Sequence, residues 1–211
     1  MASVTAGVMS SGPPGPIPAT IIFFILAAKL QKIINFAAKY KNQIRRIILI
    51  TGGQRSGKSQ HAEQLALQLA ENPVYLATAH VWDEEFRQRV LRHQERRGPQ
   101  WTNIEEEKFL SRHELTGRVI VIDCVTLWLT NFFFENNEVE QTLEQAKAEF
   151  DRFTSQEATF IFVTNEIGSG GVSENAIQRK FTDLEGWMNQ YIAAKADEVI
   201  LMVSGIPLKV K

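Results

Sequence analysis

Residues 52–59, Gly52-Gly53-Gln54-Arg55-Ser56-Gly57-Lys58-Ser59, fit the pattern G-x-x-x-x-G-K-[ST], and what flanks them decides what that pattern means. Before it, Ile47–Thr51 is a short β-branched run that reads as a strand buried on both faces. After it, residues 59–71 place Ala62, Leu65, Ala66, Leu69 and Ala70 at helical spacing until Asn72-Pro73 stops the helix. Strand, glycine-rich turn and helix in that order make a P-loop. The glycines let successive backbone N–H groups curl round a phosphate, and the helix N-terminus adds its positive dipole. Lys58 can then reach the β and γ phosphates, and Ser59 can ligate Mg²⁺.

The rest of the chain alternates in the same way. Val74–Thr78, Val119–Asp123, Thr159–Thr164 and Glu198–Val203 read as strands, and Leu208–Val210 as a last strand after a Gly205-Ile206-Pro207 turn. Helical patterns cover 83–97, 125–134, 138–154 and 174–196, the last with Ile177, Phe181, Leu184, Met188 and Ile192 on one face. Such repetition predicts a single α/β P-loop NTPase domain over 47–211. Its sheet is mostly parallel with helices on both faces, and the closing hairpin supplies an antiparallel edge strand.

Composition adds what such a domain does not do. With 44% hydrophobic and 22% charged residues among 211, the chain has the make-up of a soluble globular protein. The single cysteine, Cys124, leaves no disulfide framework, which points to a cytoplasmic setting. Residues 1–46 hold six basic residues and no acid, so 47–211 carries a net charge of −7. A domain of that sign is not a general nucleic-acid binder. Residues 1–46 form a basic extension, disordered through the prolines up to Pro18 and weakly helical beyond. Its apolar run, Ile17–Ala28, is shorter than the ~20 residues a membrane span needs. Membrane-surface contact through residues 17–46 is the alternative reading, and a poorly packed extension or a misassigned translation start is preferred.

Three further sites carry chemistry. Asp123 ends a buried strand where a P-loop needs an acid to position its metal, the alternative being an N-cap for the helix that follows. Arg87, Arg89, Arg92, Arg96 and Arg97 surround His93 on one helix, where cations would hold the imidazole neutral and nucleophilic. By spacing alone such a helix, with Glu84, Glu85 and Glu95 nearby, is usually a solvated charged face. Glu166, in Thr164-Asn165-Glu166-Ile167-Gly168, follows a strand at the ligand-binding edge of the sheet and could take a proton from a substrate hydroxyl. No Asn-Lys-x-Asp motif reads guanine there, which argues against a signalling GTPase.

Taken in order, Thr51–Ser59, Tyr75–Thr78, the Arg/His helix with Trp101, Val163–Gly168 and the ending Val203–Lys211 resemble one family. It is the bifunctional adenosylcobinamide kinases and adenosylcobinamide-phosphate guanylyltransferases of cobalamin biosynthesis. The resemblance covers about Ile47 to Lys211 and implies two reactions. ATP or GTP phosphorylates the aminopropanol hydroxyl of the corrinoid, and GMP then passes from GTP through a histidine to give adenosylcobinamide-GDP. The family's nucleophile maps to His93. Its guanine-nucleotide contacts map to Ala77, Thr78, Ala79, Gln94, Glu95, Arg96, Arg97, Glu105 and Asp123, beside the P-loop residues Gly52 to Ser59. Lys58 and Glu166 join His93 as catalytic residues, and Ser59 and Asp123 as ligands of Mg²⁺. A homo-oligomer, a trimer, is also implied. Residues 1–46 and the segment Gln94–Pro99 depart from the family's usual pattern. Two other readings compete: a P-loop small-molecule kinase without guanylyl transfer, and a non-enzymatic P-loop switch.

Overall fold

The computed structural model describes residues 45–80, 84, 88, 97–136 and 138–211. The extension up to residue 44, together with His93, Gln94, Glu95 and Arg96, lies outside the described residues. Within residues 83–97, Glu84 and Gln88 are helical, and Gln88 Nε2 donates to Glu84 Oε1 at 2.8 Å.

Seven strands form one sheet. They are β1 (Arg46–Gly52), β2 (Val74–Ala77), β3 (Thr102–Glu105), β4 (Val119–Asp123), β5 (Thr159–Val163), β6 (Glu198–Val203) and β7 (Ile206–Lys209). Their order is β3-β2-β4-β5-β1-β6-β7. All neighbours pair in parallel except β6 with β7. The helices are α1 (Lys58–Leu69), α2 (Val125–Asn136), α3 (Val139–Phe153) and α4 (Ala176–Lys195).

Period-2 alternation sends successive β residues to opposite faces, so each strand feeds two cores. Ile47, Leu49, Ile120, Ile122, Phe160 and Phe162 pack with Trp128, Leu129, Phe150, Phe153, Met188 and Ile192 of α2, α3 and α4. Ile48, Ile50, Val121, Ile161 and Val163 face the other way, against Ala62 and Ala66 of α1. Both faces of the central strands are therefore dry, as a parallel sheet requires. Among the described residues no helix is long and apolar enough to cross a membrane.

Three expectations shift. Thr102–Glu105 is a strand that periodicity missed: it is an edge with alternating half-buried and exposed residues, and Ile104 is its one apolar side chain. The hairpin turns at Ser204 and Gly205, both at positive φ, so Ile206 and Pro207 already belong to β7. Two positive-φ residues suit the twist of a two-residue hairpin, and a proline is tolerated because β7 is an edge. Ile177, expected on the buried face of α4, is 56% exposed, since the helix docks only from Phe181 onward.

Candidate active site

Parallel pairing brings the carboxyl ends of the strands to one edge. Ala77 is in register with both Glu105 and Asp123, and Asp123 with Val163, so the expected residues of β2, β3 and β4 stand side by side, one strand from Glu166. The P-loop rises from β1 at the same edge. Gly57 caps α1 in the left-handed region at φ 95°, and a side chain there would press on Gly205 of the hairpin turn. The turn is tied to the loop, since Gly205 N donates to the Ser56 carbonyl at 2.9 Å.

Lys58 opens α1 and is 7% exposed. Its Nζ donates to the Gly53 carbonyl at 2.6 Å, holding it under the loop. Burial lowers its pKa, and the negative fields of Asp123, Glu185 and Glu166 oppose that shift. Gln54 to Gln60 line a cleft of about 450 Å³ together with Asp123, Cys124, Leu127, Val163 and Asn165. A second cleft of about 580 Å³ lies against Gly53, Gln54, Asn165, Glu166, Ile167, Ser169 and Gly170. The two share Gln54 and Asn165.

Asp123 does not cap α2. Its Oδ2 accepts from the Tyr75 hydroxyl at 2.6 Å, which leaves Oδ1 for the cleft. Burial and the neighbouring carboxylate push the Tyr75 hydroxyl well above its usual pKa, so it stays a donor. The Arg97 guanidinium lies 3.6 Å over the Tyr75 ring, and Trp101 meets that ring edge-on at 5.9 Å. Arg97 Nε donates to Asn103 Oδ1 at 2.8 Å, while its buried Nη1 has no hydrogen-bond partner among the described residues. A fixed guanidinium with an unused N–H group suits an anion.

Glu166 is reached from β1. Thr51 Oγ1 donates to its Oε1 at 2.5 Å, and its own N–H donates to the Gly52 carbonyl at 3.1 Å. Thr78 is occupied otherwise: it is fully buried, and its hydroxyl donates to the Cys124 carbonyl at 2.8 Å. Its backbone is engaged as well: the N–H donates to the Asp123 carbonyl at 3.2 Å, and the carbonyl accepts from Asn131 Nδ2 at 2.8 Å. Ala79 is half-buried just beyond β2, and Glu105 is exposed at the end of β3.

Sequence reasoning missed the layer beneath. Glu185 of α4 is 1% exposed, and its carboxyl accepts from the Thr126 hydroxyl. Burial, reinforced by the charge of Glu166, pushes its pKa up to about 7 against the pull of Thr126 and Lys58. Thr126 lies 59 residues away on α2, and no motif joins the two. Only a polar residue beside Leu184 and Met188 on an apolar helix face hinted at it.

Fold and clefts together define a P-loop nucleotide-binding enzyme of the α/β class. The chain belongs to the cobinamide kinase / cobinamide phosphate guanyltransferase family, whose model matches residues 48–210. It is similar to the bifunctional adenosylcobalamin biosynthesis protein CobU of Escherichia coli strain K12, with 35% identity over 181 residues that cover 78% of this chain and 99% of that protein. CobU of Salmonella typhimurium matches with the same identity and coverage. CobP of Pseudomonas aeruginosa is 36% identical over 168 residues, 77% of this chain and 96% of that protein.

Proposed function

We propose that this chain performs two transfers in succession. The γ-phosphoryl group of ATP or GTP goes to the aminopropanol hydroxyl of adenosylcobinamide, and GMP from GTP then goes, through His93, to the new phosphate. The observation that carries the reading is the convergence of Lys58, Asp123 and Glu166 on two adjoining clefts in a chain of this family.

In the first transfer the P-loop N–H groups and Lys58 hold the phosphates, Lys58 exchanging the Gly53 carbonyl for phosphate oxygen. Ser59 and the free oxygen of Asp123 are hard oxygen donors on one cleft and fit Mg²⁺, which when bound would neutralise phosphate charge. Glu166, oriented by Thr51, takes the proton of the attacking hydroxyl as the new O–P bond forms and the bond to the nucleoside diphosphate breaks.

In the second, the His93 imidazole attacks the α phosphorus of GTP, pyrophosphate leaves, and a phosphoramidate forms. The corrinoid phosphate oxygen then displaces the histidine. Arg97, stacked on Tyr75 with a free N–H, supports the placement of phosphate near this segment. Gln94, Glu95, Arg96, Ala77, Thr78, Ala79 and Glu105 remain proposed guanine-nucleotide contacts, a homotrimer the proposed assembly, and the cytoplasm the proposed location.

Intact-protein mass after incubation with GTP and Mg²⁺ tests this. An acid-labile adduct of the mass of GMP, lost in His93→Ala, is expected. Nucleotide binding without any adduct would leave a P-loop kinase alone.

A further inference from the structure

The Glu185–Thr126 pair has a consequence for the cleft above it. A threonine hydroxyl has one proton, and when Glu185 is ionised its carboxylate can only accept, so Thr126 donates that proton to Glu185 Oε1. Towards Asn165, therefore, Thr126 Oγ1 can only accept. It takes the Asn165 backbone N–H at 3.2 Å and the side-chain Nδ2 at 2.9 Å. That settles which way the amide faces: nitrogen to Thr126, Oδ1 away from it.

The residue is held from a third side as well, because its backbone carbonyl accepts from Asn189 Nδ2 at 3.0 Å. Asn189 is in turn fixed by Thr164 Oγ1, which donates to its Oδ1 at 2.7 Å. Among the described residues no donor meets Asn165 Oδ1, and Asn165 lines both clefts. An orphan acceptor next to the Glu166 carboxylate repels phosphate oxygen and suits a donor. The far end of the proposed corrinoid substrate offers two: the hydroxyl, and the amide N–H one methylene from the carbinol carbon.

We propose that Asn165 Oδ1 accepts the N–H of the aminopropanol amide while Glu166 faces the hydroxyl, and that Thr126 and Glu185 are positioning residues that keep the amide oxygen turned to the substrate. Two adjacent acceptors thus match two adjacent donors. The assignment rests on the kinase reading above and names the part of the acceptor that the site recognises.

The test crosses enzyme with substrate. The enzymes are the full-length chain and Asn165→Ala; the substrates are adenosylcobinamide and an analogue whose aminopropanol amide nitrogen is replaced by an ester oxygen. Loss of one neutral hydrogen bond predicts a fall of about five- to tenfold in kcat/KM for either change alone. The two changes together should cost no more than one, since both delete the same bond. Nucleotide Kd should stay within about twofold. Glu185→Leu frees the Thr126 proton to seize Asn165 Oδ1 and should reproduce the loss, and Glu185→Gln, which keeps an acceptor, should restore it.

Additive losses, or a matching fall in nucleotide affinity, would overturn the assignment. If Glu185→Leu fails to fold, the cross between Asn165→Ala and the ester still decides. Absence of any phosphorylation of adenosylcobinamide by the unmodified chain would sink the kinase reading and this inference with it; turnover with additive losses would sink this inference alone.

Discussion

A carboxyl sealed inside a protein is in its lower-energy form when it carries its proton, and Glu185 is such a group. Its pKa of about 7 stands above the ordinary 4.5, first because burial disfavours the anion and then because Glu166 is negative nearby. The folded state therefore binds more protons than the unfolded chain between those two values. By linkage, stability falls as pH rises through about 4.5 to 7 and is level above. Glu185→Gln removes the titration, so its melting temperature should gain on that of the parent from pH 5 to pH 7.5. A constant offset across that range would mean that Glu185 does not titrate there. Gly52 makes a different demand. At φ 148° it lies so close to β6 that an added Cβ would sit 2.5 Å from the Met202 carbonyl oxygen. Backbone faces backbone, so neither can yield cheaply. Gly52→Ala should cost about 2–3 kcal/mol in urea unfolding and displace the P-loop with β6.

At the scale of elements, the strongest patterns were those that two-sided burial or an obligatory cap imposes. Val119–Asp123 is apolar up to its final acid because both faces of β4 are covered, and its limits were readable to the residue. The P-loop was readable for a related reason, as few residue types can make a left-handed turn and hold a phosphate. Thr102–Glu105 gave no such sign: an edge strand covered on one side needs little apolar content, and its pairing with β2 is set by backbone hydrogen bonds. The Glu185–Thr126–Asn165 chain was hidden for a third reason, since its members come from α4, α2 and the end of β5 and meet only when the helices pack. The helix that brings Glu185 to this place depends on its own start. Asn175 caps α4 by accepting from the N–H groups of Ile177 at 2.9 Å and Gln178 at 3.2 Å. Asn175→Ala should cost about 1 kcal/mol in urea unfolding. A larger loss, with altered corrinoid KM, would indicate that the cap also sets the register of Glu185 under the cleft.

For the molecule as a whole, the question is how much of the chain the two clefts require. Ile44–Lys211 form one compact unit, and the family match begins at residue 48. Between those two points lies Arg46, which opens β1, is 6% exposed, and gives its Nη2 to Glu198 Oε2 at 2.9 Å. A cut beyond it would take this guanidinium from Glu198, whose other oxygen lies 3.3 Å from Lys209 Nζ, and would weaken the seam between β1 and β6 that supports the P-loop. The cores and clefts described above are lined by residues 46 onward. The chain starting at Ile44 should therefore melt within about 2 °C of the full-length chain, well inside the 2–4 °C that 1 kcal/mol shifts a domain of this size. Its rates of corrinoid phosphorylation and GMP adduct formation should match as well, whereas a chain starting at Ile48 should melt several degrees lower. Full stability with lost activity in the chain starting at Ile44 would place residues 1–43 in the function itself and return weight to a docking role for the basic extension.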